Sequence, residues 1–362
     1  MMRKEDFYAV ILSGGNGERF WPLSTPDRPK QFLTVFGGKS LLRQAVDRLK
    51  GLVPPANVLV VTAASLAKAT RAELPELPSA NVIAEPCRRD TAAAVATACG
   101  AVEARGGERA VAAILTADHV MRDVRAFRRV LADAARAAAK TDAIVTMGVT
   151  PDYPATGFGY IRVGRPADVG TATVFARAER FVEKPDERTA RRYLASGRYV
   201  WNAGMFVWRV ATMKAALLRA APGLAILAAS VAAARGARAV RKVLATYYPQ
   251  LPKISVDYAV MEKTPNILVS RSAFGWDDVG TWTSADRHLA TDARRNVVRG
   301  DVALLDVSDA IAISSGPQVA MLGVANVVVV ATKDSVLVAD KARVQDLKKL
   351  LAKLHANGPR HG

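Results

Sequence analysis

Cysteine is almost absent from this 362-residue chain, which holds only Cys87 and Cys99. That excludes a disulfide-stapled scaffold, leaves no CxxC pair for zinc, and fits a reducing compartment. Long hydrophobic runs are missing as well. The longest, Val319 to Ala331, is broken by Gly323 and Asn326 and cannot span a bilayer. The basic start Met1-Met2-Arg3-Lys4 precedes an apolar run only from Phe7 to Leu12, and a Gly pair follows where a secretory leader would need a longer core. The expectation is a soluble cytoplasmic protein without membrane association. Acidic residues are the minority charge, 33 against 51 Lys and Arg, for a formal net charge of +18. This excess points to phosphates, nucleotides or nucleic acid as partners, without choosing among them.

What is present is an ordinary globular mixture, 50% hydrophobic and 23% charged, long enough for one large or two unequal domains. Short β-rich runs (Tyr8–Leu12, Val58–Val61, Val82–Ala84, Val111–Leu115, Ala143–Val149) alternate with helical stretches starting near Ser40, Ala64, Thr91 and Arg125. This alternation predicts an α/β sheet with helices on its faces. From about Pro151 the rhythm becomes that of a mixed sheet, with strands at Phe158–Val163, Val174–Val182 and Met205–Trp208. Helices are expected near Thr189–Ala195, Met213–Ala221, Ala225–Ala234 and Ala239–Tyr247. After about Thr291, short strands at Val297–Leu305, Ala310–Ser314, Val319–Leu322, Val327–Ala331 and Ser335–Val338 read as a small β domain closed by a Lys-rich helix, Lys341–Leu354. The boundary falls near 290, dividing residues 1–290 from 291–362.

The strongest motif follows the first strand: Ser13-Gly14-Gly15-Asn16-Gly17-Glu18-Arg19-Phe20-Trp21-Pro22-Leu23. Glycines just past a strand let backbone N–H groups approach an anion, although a lone Gly pair is also the mark of a simple tight turn. Two other phosphate loops are excluded. A dinucleotide fingerprint beginning at Gly15 needs glycine where Phe20 stands, and a Walker loop ending Gly38-Lys39-Ser40 needs glycine where Leu33 stands. Arg19 and, in Pro29-Lys30-Gln31-Phe32-Leu33, Lys30 add fixed positive charge suited to phosphate.

The pair Arg19-Phe20-Trp21-Pro22-Leu23-Ser24 and Pro29-Lys30-Gln31-Phe32-Leu33 resembles the nucleotidyltransferases that make nucleoside-diphosphate sugars, most closely the mannose-1-phosphate guanylyltransferase (GDP-mannose pyrophosphorylase) family. The resemblance implies a Rossmann-like, GT-A-like nucleotidyltransferase domain with a mixed central sheet. It also implies a C-terminal β segment resembling a short left-handed β-helix. Glu85-Pro86-Cys87-Arg88-Arg89-Asp90-Thr91-Ala92 resembles the stretch lining the guanine pocket, with Asp90 where the family has Asn and Ala93 where it has Pro. An ionised Asp only accepts hydrogen bonds, whereas Asn also donates. The alternative is that Asp90 or Thr91 merely caps the following helix.

Asp118, after the strand Ile114-Leu115, lies at a carboxyl edge where α/β sheets bind ligands, or serves only as a turn or helix-capping residue. Trp276-Asp277-Asp278-Val279-Gly280 supplies a second carboxylate pair. The resemblance implies one Mg²⁺ between Asp118 and Asp278, with Asp277 the less favoured member of its pair; His119 is read as supporting or structural. Thr156-Gly157-Phe158-Gly159-Tyr160 resembles the loop whose backbone approaches the hexose. The resemblance implies that Glu183 meets sugar hydroxyls, Lys184 the sugar phosphate and Asn202 hydroxyls, although Glu183-Lys184 alone is also an ordinary solvated ion pair. Asp257, in Ser255-Val256-Asp257-Tyr258, is read mainly as a structural helix-start residue.

The implied nucleotide-binding set is Gly14, Gly15, Gly17, Arg19, Lys30, Glu85, Asp90 and Thr91, and the implied catalytic set is Arg19, Lys30, Asp118 and Lys184. The implied substrates are GTP and mannose 1-phosphate. The chain has no stretch for the isomerase half of long bifunctional relatives, so transferase activity alone is expected; a homodimer is a family expectation. Competing readings are a sister enzyme for another sugar or base, a non-catalytic sugar-nucleotide sensor, and a nucleic-acid-binding protein. Against the last, the Arg-Arg pairs at 88–89, 128–129, 191–192 and 294–295 are dispersed, and no aromatic-rich RNA-binding motif is present.

Overall fold

The computed structural model describes residues 3–15 and 17–356, without the side chains of Lys4 and His355. It divides into two compact units that interleave in sequence. The first comprises the described residues of Met1–Gly14, Ala45–Ala117 and Met121–Trp276; the second comprises those of Gly15–Gln44, Asp118–Val120 and Asp277–Gly362.

The first unit is built on a nine-stranded sheet. Its strands are β1 (Phe7–Ser13), β2 (Val58–Ala63), β3 (Val82–Glu85), β4 (Val111–Thr116), β6 (Ile144–Val149), β7 (Tyr160–Ala167), β8 (Phe175–Val182), β9 (Tyr199–Arg209) and β10 (Ile267–Ser272); β5 and β11 are the two-residue strands Val120–Met121 and Trp276–Asp277. The order is β3-β2-β1-β4-β9-β6-β10-β8-β7. Strands β3, β2, β1 and β4 are parallel, Ala9 facing both Val58 and Ala113, while β9 runs antiparallel to β4, β6 and β7. The parallel half is apolar throughout, as strands covered on both faces must be. The long helix Asp90–Gly106 is alanine-rich and buries an unbroken run from Ala92 to Val102, packing with Leu224, Leu227, Ala228 and Val231 of the helix Pro222–Ala233. Asp123 starts the helix Val124–Lys140 by accepting from the Ala126 N–H at 2.8 Å, and Asp186 starts Glu187–Ser196 in the same way from Thr189 at 2.7 Å.

The second unit carries the C-terminal strands β12 (Val297–Arg299), β13 (Val302–Leu305), β14 (Ile311–Ser314), β15 (Val319–Leu322), β16 (Val327–Ala331) and β17 (Val336–Asp340). Parallel pairing of β12, β14 and β16 on one face and of β13 with β15 on another stacks successive turns of chain into a β-helix-like coil. Val307, Ala310, Ala312, Met321 and Val329 fill its interior. Buried Asn296 ties one corner, donating to the Val307 carbonyl at 2.9 Å and accepting from the Ala310 N–H at 3.0 Å.

The mixed sheet and the terminal β segment match expectation; several element bounds do not. The single strand expected over Val297–Leu305 is two, because Gly300, at φ +82°, turns the chain between them. Met205–Trp208 is only the second half of the eleven-residue β9. Strand β10 was not foreseen, since Pro249, Pro252 and Pro265 mask it as a broken stretch. The closing helix starts as a 3₁₀ segment, Lys341–Asp346, before Leu347–Ala356. The textural break near 290 lies within the second unit, because Val279, Trp282, Ala285 and Leu289 share one core with Val297, Ile311 and Val328.

Candidate functional site

In the second unit the apolar letters of the N-terminal motif are anchors. Phe20 is fully buried edge-on to Phe36 at 5.7 Å and to Trp282 at 5.0 Å, and the Trp282 indole donates to the Trp21 carbonyl at 3.1 Å. This pinning directs the polar letters. Lys30 opens the 3₁₀ turn Lys30–Phe32 with its side chain turned inward, leaving the residue 7% exposed. Gly17 sits directly on it at φ +61°, and a Cβ there would lie 2.2 Å from Lys30 Cβ. Only glycine tolerates both that conformation and that contact.

The Lys30 ammonium donates to Asp118 Oδ2 at 2.8 Å and to the Asp278 carbonyl at 2.5 Å. Burial alone would raise the Asp118 pKa, but the charges of Lys30 and His119 and the Lys30 hydrogen bond outweigh it and hold the carboxyl below its ordinary range. His119 Nε2 stands 3.8 Å from Asp118 Oδ1, a supporting position.

The neighbouring aspartates divide their roles. Asp277 is saturated: Oδ1 accepts from the Val279 N–H at 2.7 Å, and Oδ2 faces Arg287 Nε at 2.6 Å and His288 Nε2 at 2.8 Å. The Asp278 carboxylate has no hydrogen bond or ion pair among the described residues. Its pKa is pushed up to about 6, chiefly by burial, with Lys30 opposing and the charges of Asp277 and Asp118 adding to the rise. Val279 beside it holds a left-handed φ of +49°, a costly conformation for a β-branched residue of the kind stored at functional sites. Among the described residues no group of three or more His, Cys, Asp or Glu is placed to hold a metal ion. Two hard carboxylates, one of them without a partner among those residues and destabilised by the other's charge, suit a divalent cation that takes its remaining oxygens from phosphates; a nitrogen–sulfur zinc set is absent among the same residues. Arg19, two residues beyond Gly17, has its Nε buried without an acceptor among the described residues, a desolvated donor that an anion would satisfy.

In the first unit a second cluster gathers the residues expected on the sugar side. Gly159 gives Glu183 room, since a Cβ there would lie 2.5 Å from Glu183 Oε2. The Gly159 carbonyl accepts from the Asn202 N–H at 2.8 Å, tying the loop to β9. Glu183 pairs with Lys184 at 2.8 Å, and Lys184 is another non-glycine residue with positive φ, +45°. Asn202 accepts from the Gly204 N–H at 3.1 Å and donates to Asp257 Oδ1 at 2.9 Å. Asp257, read mainly as a structural helix-start residue, therefore also stands against a residue of this cluster. Burial first, and then the charge of Glu183, push its carboxyl up to about 6. The legible signal was Ser255, which already caps that short helix and leaves the acid beside it without a capping task.

The base-side residues form a third group, also in the first unit. Glu85 ends β3, and a Cβ on Gly14 would lie 3.6 Å from its Oε2. Burial raises the Glu85 pKa, and a hydrogen bond from Tyr248 opposes the rise. Thr91 uses its hydroxyl to accept from the Val256 N–H at 2.9 Å. Asp90 is exposed at φ +61° and accepts from its own neighbour's N–H, Thr91, at 2.7 Å. The helix Asp90–Gly106 has no side-chain N-cap, so neither residue acts as the cap that the plainer reading required. Gly15 is an exposed link in the first loop.

The chain is similar to known proteins over nearly its whole length. A family model described as nucleotidyl transferase matches residues 8–293, and one described as MannoseP isomerase/GMP-like beta-helix domain matches 300–354. The chain is 39% identical to the alginate biosynthesis protein AlgA of Pseudomonas aeruginosa, covering 96% of this chain and 72% of that protein. It is 38% identical to the mannose-1-phosphate guanylyltransferase ManC of Salmonella typhimurium, covering 99% and 75%. A crystal structure described as mannose-1-phosphate geranyltransferase from Thermus thermophilus superposes with a TM-score of 0.86 at 35% identity, covering 97% of this chain and 99% of that one.

Proposed function

The chain belongs to the nucleotidyl transferase family, and from that premise we propose that it is a mannose-1-phosphate guanylyltransferase, converting GTP and α-D-mannose 1-phosphate into GDP-mannose and diphosphate. The observation that carries the reading is the Lys30 cluster: a buried ammonium under Gly17, on Asp118 and the Asp278 carbonyl, beside a carboxylate with no partner among the described residues. Such a group has no use in a core and a clear use for phosphates.

In the reaction a phosphate oxygen of mannose 1-phosphate attacks the α-phosphorus of GTP in line. The new P–O bond forms as the bond to the β-phosphate oxygen breaks, and diphosphate leaves with that electron pair. The nucleophile is already ionised, so no general base is needed, and catalysis rests on bringing two anions together and neutralising their charge. Lys30 and Arg19 hold phosphoryl oxygens, and the N–H groups of Gly14, Gly15 and Gly17 bind the triphosphate. Lys184 binds the sugar phosphate, while Glu183 and Asn202, the latter held by Asp257, orient the hexose hydroxyls. Glu85 and the Asp90-Thr91 turn contribute to the base side. Asp118 and Asp278 are the residues that would hold Mg²⁺, which would supply positive charge to the reacting phosphates.

The test is diphosphate release with Mg²⁺, offering mannose 1-phosphate or glucose 1-phosphate with GTP, ATP, UTP or dTTP. Release confined to GTP with mannose 1-phosphate is expected. Preference for another pair would move the chain to a sister specificity, and no release with any pair would refute the proposal.

A further inference from the structure

We infer that Tyr248 is a positioning residue for Glu85 and so sets the enzyme's discrimination for guanine, an inference that rests on the guanylyltransferase reading above. Tyr248 is completely buried, and a buried phenol needs a hydrogen-bond partner. Thr97 Oγ1 lies 3.5 Å from its hydroxyl, but the Thr97 proton has a better acceptor in the Ala93 carbonyl at 2.9 Å. The Tyr248 proton goes to Glu85 Oε1 at 2.6 Å, the short distance of a bond to an ionised acceptor. The tyrosine is itself strapped to the base-side loop. Arg89, four residues beyond Glu85, donates to the Tyr248 carbonyl at 2.9 Å and to the Pro249 carbonyl at 2.5 Å.

This bond does two things for Glu85. It fixes the side chain through Oε1, leaving Oε2 on the side of Gly14, at the carboxyl edge where parallel strands bind ligands. It also favours the carboxylate over the acid against the opposing effect of burial. Burial raises the Tyr248 hydroxyl far above its ordinary value, so it stays a donor at any working pH. The chemistry of the base makes use of both. Guanine presents two adjacent donors, N1–H and the 2-amino group, and an ionised, correctly aimed carboxylate accepts both; each carboxylate oxygen has two acceptor positions, so Tyr248 occupies one of four. Adenine presents an acceptor at the same edge, leaving the carboxylate unpaired.

The experiment compares the intact wild-type protein with Tyr248→Phe, which keeps the ring and removes the hydroxyl. Steady-state turnover is measured with GTP and with inosine triphosphate, which lacks the 2-amino group, from pH 6 to 9. In the variant the KM for GTP should rise about tenfold, equivalent to about 1.4 kcal/mol. The kcat should stay within about twofold of wild type, and the GTP-over-ITP preference should collapse towards one. The KM penalty should deepen as pH falls, because Glu85 then takes up a proton more easily. A merely structural tyrosine would lower the unfolding temperature while leaving the GTP/ITP ratio intact. Glu85→Gln supplies a second arm should the first variant not fold: its amide sets a donor against the donors of guanine, so the same ratio must collapse. A wild type that prefers GTP while both variants keep its ratio would overturn this inference alone. A wild type that prefers another base would overturn the guanylyltransferase reading and this inference with it.

Discussion

Replacing Lys30 by methionine removes one ammonium group while keeping most of the stem on which Gly17 packs. At 2.8 Å from Asp118 and an effective dielectric of about 20, the attraction lost is about 6 kcal/mol before desolvation is counted. The cost of taking both charges out of water offsets much of this, and the Asp118 side chain is 30% exposed, so solvent replaces part of the rest. The net loss of stability should be about 1–2 kcal/mol, a fall of roughly 1–3 °C in unfolding temperature for a protein of this size. The effect on rate should be larger. The same group must neutralise charge on the reacting phosphates, and losing one preorganised electrostatic group costs about 10²–10³ in kcat. Diphosphate release at saturating GTP and mannose 1-phosphate measures the rate, and thermal unfolding establishes that the variant is folded. Lys30→Arg should recover only part of the activity, because a planar fork cannot reproduce a point donor between Asp118 Oδ2 and the Asp278 carbonyl. A folded Lys30→Met protein retaining more than a third of wild-type kcat would refute the reasoning and remove Lys30 from the reaction.

Gly17→Ala should leave the protein folded but lower kcat by about tenfold or more, since the added carbon, 2.2 Å from Lys30 Cβ, must displace the lysine or the loop; the same release assay checks it. Asp277→Asn should cost about 3 kcal/mol in urea unfolding at pH 7, because Arg287 and His288 lose the carboxylate between them. Asp277 is held far below its ordinary range: despite burial, its hydrogen bonds from His288 and Arg287 prevail. Its stabilisation is therefore present above about pH 4 and lost as the pH falls below that, and the gap between wild type and variant should shrink in acid. Asp257 has the opposite sign. Its carboxyl titrates near 4 unfolded and at about 6 folded, so wild type should lose stability relative to Asp257→Asn as pH rises from about 4 through 6. At pH 8 the variant should match or exceed wild type in unfolding temperature while its KM for mannose 1-phosphate rises about 3–10-fold, as Asn202 loses a charged acceptor.

Local sequence dictated the class of the fold and the letters of the site. Strand and helix periods are local properties, so the alternation through residue 149 was legible to within a few residues. The motif around Gly14–Arg19 and Lys30 was legible because glycine and charge at fixed spacing have few other uses. Where neighbours in space are distant in sequence, that reading ran out. Nothing local shows that Asp278 keeps its carboxylate unpaired among the described residues while Asp277 is spent, since that depends on Arg287, His288 and the Val279 N–H converging on one carboxylate. Asp257 looked like a helix-start residue until β9 brought Asn202 to it, and Tyr248 carried no signal at all because its partner, Glu85, is 163 residues away. The small coil likewise reads as a row of separate strands, and only the parallel pairing of β12 with β14 and β16 makes it one element. Chemistry at a side chain depends on what surrounds it within a few ångströms, and only the folded chain sets that neighbourhood.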